Sequence, residues 1–264
     1  MNWTKIRTIM VKEWADTFRN KMVFFTLIFL PLLFTVLPLI NLYVMSVLPP
    51  EEMDEDLGPF LAYQQYYHLD NLETAMVGMA SIYILVYLVL PLMLPMMIAC
   101  DSIVSEKVSK SLEPLLATPI RVSELLVGKA LAAVVPAVGA TWLAYALYVG
   151  LAALLIGRPA VVAVLASPDW LVGIGLLAPL LGLLAVSVGI IISSRVSDTR
   201  AAQQIGGFLV LPLFLLFIPL FLGGFILSMG VFLAGAAIVA ILDVATLRLA
   251  TALFRRETIL TRWK

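Results

Sequence analysis

TAMVGMASIYILVYLVLPLMLPMMIAC, Thr74 to Cys100, contains no charged residue, and DSIVSEKVSKSLEPLLATPIRVSELLVGK, Asp101 to Lys129, follows at once with the most patterned charges in the chain. As a helix the first stretch is about 40 Å long, enough to cross a hydrocarbon core of about 30 Å with some tilt. Uncharged runs of similar length recur at Met22 to Leu48, Ala130 to Gly157 and Leu171 to Ser194. A last run, Ile205 to Leu242, would reach about 57 Å as one helix, so it is divided at Gly223-Gly224 into spans over 205–222 and 225–250.

Composition agrees with these runs. Hydrophobic residues make up 62% of the chain and mean hydropathy is +1.05, whereas soluble domains carry about 45–50% apolar residues. A water-soluble core could not hide this much apolar surface, and backbone polar groups inside a bilayer must be satisfied within helices. The sequence therefore predicts an all-α integral membrane protein. It has one transmembrane domain over 1–264, with spans at 22–48, 74–100, 130–157, 171–194, 205–222 and 225–250.

The charges orient it. Lys5, Arg7, Lys12, Arg19 and Lys21 precede the first span, Lys107, Lys110, Arg121 and Lys129 separate the second from the third, and Arg195 and Arg200 separate the fourth from the fifth. Arg248, Arg255, Arg256, Arg262 and Lys264 close the chain, while 49–73 holds seven acids and no Lys or Arg. Basic residues stay on the cytoplasmic side of short loops, so both termini and 101–129 are expected in the cytoplasm of a multi-pass cell-membrane protein. The basic N-terminal region is too long and the apolar run behind it too extended for a signal peptide, so the first span is expected to remain as an anchor. Within 1–21, Trp3, Ile6, Ile9, Met10, Trp14 and Phe18 recur at helical spacing opposite Lys5, Lys12, Asp16 and Arg19, the pattern of a helix lying in the membrane interface.

Little catalytic chemistry is open to such a chain. Its one histidine, His68, lies in the acidic loop, so no Ser-His pair, HExxH site or histidine relay can be built; HLDNLE falls short of a metal-site signature. Cys100 is alone and forms no intrachain disulfide. Gly128-Lys129 is followed by Ala130 and preceded at the required spacing by Ser123, so the chain has no P-loop and no ATP site of that kind. An enzyme is not expected. Asp243 is the one acid near an apolar run. A sixth span beginning at Phe225 places it at the cytoplasmic boundary, which is the expectation, whereas one beginning near Gly230 would bury it in the membrane at a cost of about 2.5–3.5 kcal/mol.

Two further patterns concern helix shape. Proline occurs in every span but the sixth, which loosens or bends those helices. Gly175, Ala178, Gly182, Ala185 and Gly189 form a small-residue stripe along the fourth span, and such stripes let another helix of the same chain or of a second subunit come close.

In the charged segment, Ile103 or Val104, Val108, Leu112 and Leu115 repeat at three to four residues while Glu106, Lys107, Lys110 and Glu113 fall on other faces. This predicts a short amphipathic helix along the membrane surface, ended by turns at Pro114 and Pro119, with Ser123 as N-cap of the next helix. Such an element suits a grip for a cytosolic partner.

The order SEKVSKSLEPLLATPIRVSELLVGKAL resembles the membrane subunits of type-2 ATP-binding-cassette (ABC) exporters in its Glu-basic pair, its LExLLxxP pattern, and a Glu and a GK entering the third span. KEWADTFRNK, similar to that family's connecting helix, and LFRRETIL near the end support the likeness. The resemblance implies that Glu106 to Pro119 is a coupling helix docking on a separate ATPase subunit through Glu106, Lys107, Leu112, Glu113, Pro114 and Pro119, with Glu124, Gly128 and Lys129 as further motif positions. It implies two permease subunits, alike or different, and two ATPase subunits that bind ATP and Mg; this chain needs no cofactor and no nucleic acid. Glu106 or Glu113 is expected to pair with Arg7 or Lys12 of the N-terminal helix. One departure is that only a few residues near Gly223 stand where many relatives carry a sizeable external element before the last span. A non-transporting scaffold and an ion-coupled carrier centred on Asp243 are the competing readings.

Overall fold

The computed structural model describes residues 2–47, 57–109, 121–222 and 226–253. Among them the regular structure is helical: α1 Trp3–Arg19, α2 Lys21–Val47, a 3-10 turn Gly58–Phe60, α3 Leu61–Tyr67, α4 Asn71–Tyr87 and α5 Leu90–Val108. There follow α6 Val122–Leu155, α7 Pro159–Leu165, α8 Pro168–Arg195, α9 Thr199–Gly207, a second 3-10 turn Phe208–Val210, α10 Leu211–Leu215, α11 Phe217–Phe221 and α12 Met229–Leu253. Six helical stretches are long and apolar enough to cross a membrane: 21–47, 71–108, 123–155, 159–195, 199–221 and 229–252.

The ends of these stretches differ from the uncharged runs because helices continue until a cap stops them. Span two starts three residues early, where Asp70 caps α4: its carboxylate accepts from Glu73 N–H at 2.7 Å and Glu73 returns a bond from Asp70 N–H at 3.2 Å. The two acids nearest His68 are thus spent on a helix cap. His68 itself takes the left-handed conformation, φ 56°, that ends α3. Span five starts at Thr199 because Asp198 accepts from Ala201 N–H at 2.8 Å. Ser123 is not the cap of α6; Arg121 is, and Glu124 accepts its N–H at 3.2 Å.

Proline sets the breaks. Span two is interrupted between Tyr87 and Leu90, immediately before Pro91, whose ring and missing N–H cannot continue the ladder. Span five is cut into α9, a 3-10 turn, α10 and α11, with Pro212 opening α10 and Pro219 inside α11. Pro31, Pro38, Pro95, Pro136 and Pro179 lie inside intact helices.

Span four is the hub of the bundle, because α8 lies against α5, α6, α9 and α12. Its small residues permit this. A Cβ on Gly173 would lie 2.6 Å from the Phe232 ring, one on Gly182 3.2 Å from Val134, and one on Gly189 3.0 Å from Met96 Sδ. Ala178 and Ala185 are fully buried. The stripe therefore serves intrachain packing at Ala178, Gly182, Ala185 and Gly189, while Gly175 has open space where its side chain would be. Gly173, outside the expected stripe, seats Phe232 of span six.

The placement of Asp243 at a helix boundary is corrected. α12 begins at Met229 and runs ten residues past Asp243 to Leu253, so the acid lies within the span. It is buried on a seam with Phe232, Ala236 and Ala250, and neither carboxylate oxygen has a hydrogen-bond partner among the described residues.

These contacts predict that Gly173→Val, by pushing Phe232 and α12 off α8, will lower stability by about 1–3 kcal/mol. Gly175→Val, facing open space, will leave it nearly unchanged. Thermal unfolding of the two variants in the same detergent measures the difference.

Candidate functional site: a buried charge cluster

Of the residues expected to form a surface helix, Ile103 to Val108 instead continue span two. α5 runs unbroken through Ile103 to Val108, so no separate element starts at Ile103, and Glu106 points into the bundle with 8% of its surface exposed. Its cations decide this. Lys12 Nζ donates to Glu106 Oε1 at 2.8 Å, and Lys129 Nζ lies 2.9 Å from Glu106 Oε2. The expected pairing of Glu106 with the N-terminal helix is thus made by Lys12. Leu112, Glu113, Pro114 and Pro119 lie outside the described residues.

Lys129 stands at the centre. Its ammonium also donates to Glu13 Oε1 at 2.8 Å and to Ser102 Oγ at 2.6 Å, so Lys129, itself on α6, is met by groups from two other elements, α1 and α5. Ser102 passes its own proton to Glu13 Oε2 at 2.6 Å, and Lys12 Nζ reaches Glu13 Oε1 at 3.2 Å. Lys129, Glu13 and Glu106 are all buried, whereas half of the Lys12 side chain is exposed. Water screens the Lys12 pairs, which are worth about 0.2–1 kcal/mol each. The Lys129 pairs are sheltered.

The electrostatics follow from burial against charge. Burial alone would raise the Glu13 carboxyl; Lys129 outweighs it, helped by Ser102 and Lys12, and holds the group below the usual glutamate range. For Lys12, burial favours the neutral amine, but hydrogen bonding to Glu106 and the charges of Glu13 and Glu106 reverse this and raise it.

Gly128 explains why the preceding position is glycine. A Cβ there would lie 2.8 Å from Ile9 Cγ2 and 3.3 Å from the Ile6 carbonyl, so only glycine lets α1 press onto α6 closely enough for Glu13 to reach Lys129. The helix buries Ile6, Ile9, Glu13 and Thr17. Trp3 and Phe18, expected on the membrane-facing side, are exposed, and Trp14 Nε1 donates to the Ala132 carbonyl at 2.9 Å. Glu124 clasps the other end of the joint by accepting Asn2 N–H at 2.8 Å. Lys107 turns away from the cluster and donates to the Ser194 and Val196 carbonyls at 3.3 Å, closing the end of α8. Glu13 and Ser102 were not singled out by the sequence reading. Their signal was an acid at the third place of the stripe 6, 9, 13, 17, where an apolar residue is expected.

This cluster can hold three helices in one joint. Among the described residues no group of three or more His, Cys, Asp or Glu is arranged to hold a metal ion.

Removing Lys129 leaves two buried carboxylates facing only the half-exposed Lys12, so Lys129→Ala will cost about 3–5 kcal/mol, against at most about 1 kcal/mol for Lys12→Ala; chemical unfolding in detergent checks the ratio. Because the Glu13 carboxyl is lowered on folding, its contribution is present above the unfolded value of about 4.3 and is lost as pH falls through the lower folded value. Glu13→Gln will therefore flatten the acid limb of thermal stability between about pH 5 and 3.

A search of curated proteins returned no match for this chain. The family described as ABC-2 family transporter protein matches residues 7–238, a range that takes in α1, the charge cluster and the first five spans. The chain belongs to that family and is a membrane-spanning permease of the ABC-2 type.

Proposed function

We propose that the chain is the permease subunit of an ABC exporter, paired with a second permease subunit and driven by ATP hydrolysis on separate nucleotide-binding subunits that hold ATP and Mg. In this reading the termini and the charge cluster lie on the cytoplasmic side of the cell membrane, as the distribution of Lys and Arg supports. The observation that carries it is the buried cluster of Glu13, Glu106 and Lys129. It lies at the two roots, 109 and 121, of the segment whose sequence resembles a coupling helix.

The role of each residue follows from position. Leu112, Glu113, Pro114 and Pro119 are the contacts to the ATPase subunit. Glu106 and Lys129 do not touch that subunit; they transmit its displacement, because a segment rooted on α5 and α6 moves both helices when the roots are tied together. α1 moves with them through Glu13 and Gly128. A joint held by loose surface pairs would dissipate the same displacement. The apolar lining of the spans favours a hydrophobic or amphipathic cargo.

Glu106→Lys will place a third cation beside Lys12 and Lys129, and ATPase activity linked to transport will be lost while membrane insertion and unlinked hydrolysis persist. Reconstitution with the ATPase subunit measures this, and unchanged coupled hydrolysis sinks the lever. The buried Asp243, without a partner among the described residues, is the one observation favouring an ion-coupled carrier. Gradient-driven transport by the chain alone, abolished in Asp243→Asn, would decide for that reading; the exporter reading expects Asp243→Asn to transport normally with ATP.

A further inference from the structure

At the end of the bundle opposite the charge cluster, the turn Gly58–Phe60 and α3 fold back over the helix tops. Tyr63 is completely buried, and its hydroxyl accepts the backbone N–H of Leu227, itself 1% exposed, at 3.0 Å. That bond joins residues 164 apart and reaches the short link between spans five and six. Phe60 lies where a side chain on Gly78 would be, so the turn is pressed onto span two. Tyr67 donates to Asp169 Oδ2 at 3.0 Å and Tyr66 to the same oxygen at 3.4 Å, fastening α3 to the start of span four. Arg158 meets Asp70 at 3.2 Å just beyond.

The fastenings are unequal. Toward spans two and four the segment is held by a ring seated on a glycine and by two phenols on one carboxylate. Toward spans five and six α11 packs on the turn with Leu220 buried, the side-chain hydrogen bond among the described residues is the one from Leu227, and the helices α10 and α11 are five residues each, proline-containing and largely exposed otherwise. Local opening starts where buried contacts are fewest.

We infer that residues 58–67 are a latch closing the outer end of the permease, fixed to spans two and four and released from the span five–six link when the Tyr63–Leu227 bond breaks. The latch belongs to the loop after the first span. When it releases, α10, α11 and the link move as the free side, and Tyr63 stays with span two. The word outer rests on the exporter reading and its orientation; the release does not.

The test is reactivity of a Leu227→Cys thiol, in a Cys100→Ala background, toward a membrane-impermeant maleimide added outside whole cells. Labelling is expected to be slow in the parent and at least about fivefold faster when Tyr63→Phe is added, the population change carried by one net hydrogen bond of roughly 1 kcal/mol. The phenylalanine keeps the ring, so folding is retained; as a second measurement, hydrogen exchange over 226–232 in the purified protein will rise in Tyr63→Phe alone. Fast labelling of the parent, or equal rates and equal exchange in both proteins, overturns the latch even if ATP-driven transport is demonstrated. Faster labelling and exchange in Tyr63→Phe, with no response to ATP in the reconstituted complex, keeps the latch and removes the exporter reading.

Discussion

A lysine ammonium buried between two glutamates is the constraint on which the rest of this chain turns. Taking charges out of water costs several kcal/mol per ion, and the cost is recovered only with full hydrogen bonding. Lys129 offsets it with hydrogen bonds to Glu13 and Ser102 and an ion pair with Glu106, all drawn from two other helices. The chemistry therefore dictates geometry: α1 must lie against α6, which requires Gly128, and α5 must continue past the last apolar residue of its run to bring Glu106 inward. A hydrophobic joint of the same size would tolerate sliding of one helix over another. Fixed donors and acceptors do not.

Tightness and looseness are distributed unevenly around this joint. Without a hydrophobic force between helices in lipid, close approach depends on small side chains, and span four supplies them at Gly173, Ala178, Gly182, Ala185 and Gly189 against several neighbours. Span five supplies one at its start, Gly206, where a Cβ would lie 2.7 Å from Met96 Sδ, and beyond it is divided by Pro212 and Pro219. The bundle thus has a firm centre of spans two, three and four, with a broken helix at its side. Motion that leaves the charge cluster intact has to be taken up mainly by that side.

What the sequence made legible follows from how each feature is encoded. Spans were readable because a bilayer demands long uncharged runs, and each run lies within a helical stretch, continuous or broken at proline, among the described residues. Their ends were not, because Asp70, Asp198 and Glu124 extend helices beyond the apolar stretch through one or two capping hydrogen bonds that composition does not register. Glu106 and Lys129 were visible through family resemblance and Lys12 as a depth-matched partner. Glu13 was hidden because it sits on the buried stripe of α1, and only the folded contact with Lys129 shows it to be a solved charge. Asp243 was misplaced by a few residues at the start of its helix, which is enough to carry an acid from a boundary into a span.

Span two joins the two ends of the molecule. Gly78, under the Phe60 ring, and Glu106, in the charge cluster, belong to the same stretch, interrupted between Tyr87 and Leu90 ahead of Pro91. A rigid rod would carry any tilt at the Glu106 end directly to the latch. A rod with a break at Pro91 can pivot there instead, so that its lower half follows Glu106 while its upper half remains seated beneath Phe60. Span four, unbroken from Pro168 to Arg195, holds Asp169 of the latch at one end and is closed by Lys107 of span two at the other. Under the exporter reading, displacement of the coupling segment would therefore reach the latch through span four and be absorbed in span two, and the difference between them would fall on the Tyr63–Leu227 bond, which joins the latch to the link beyond span five.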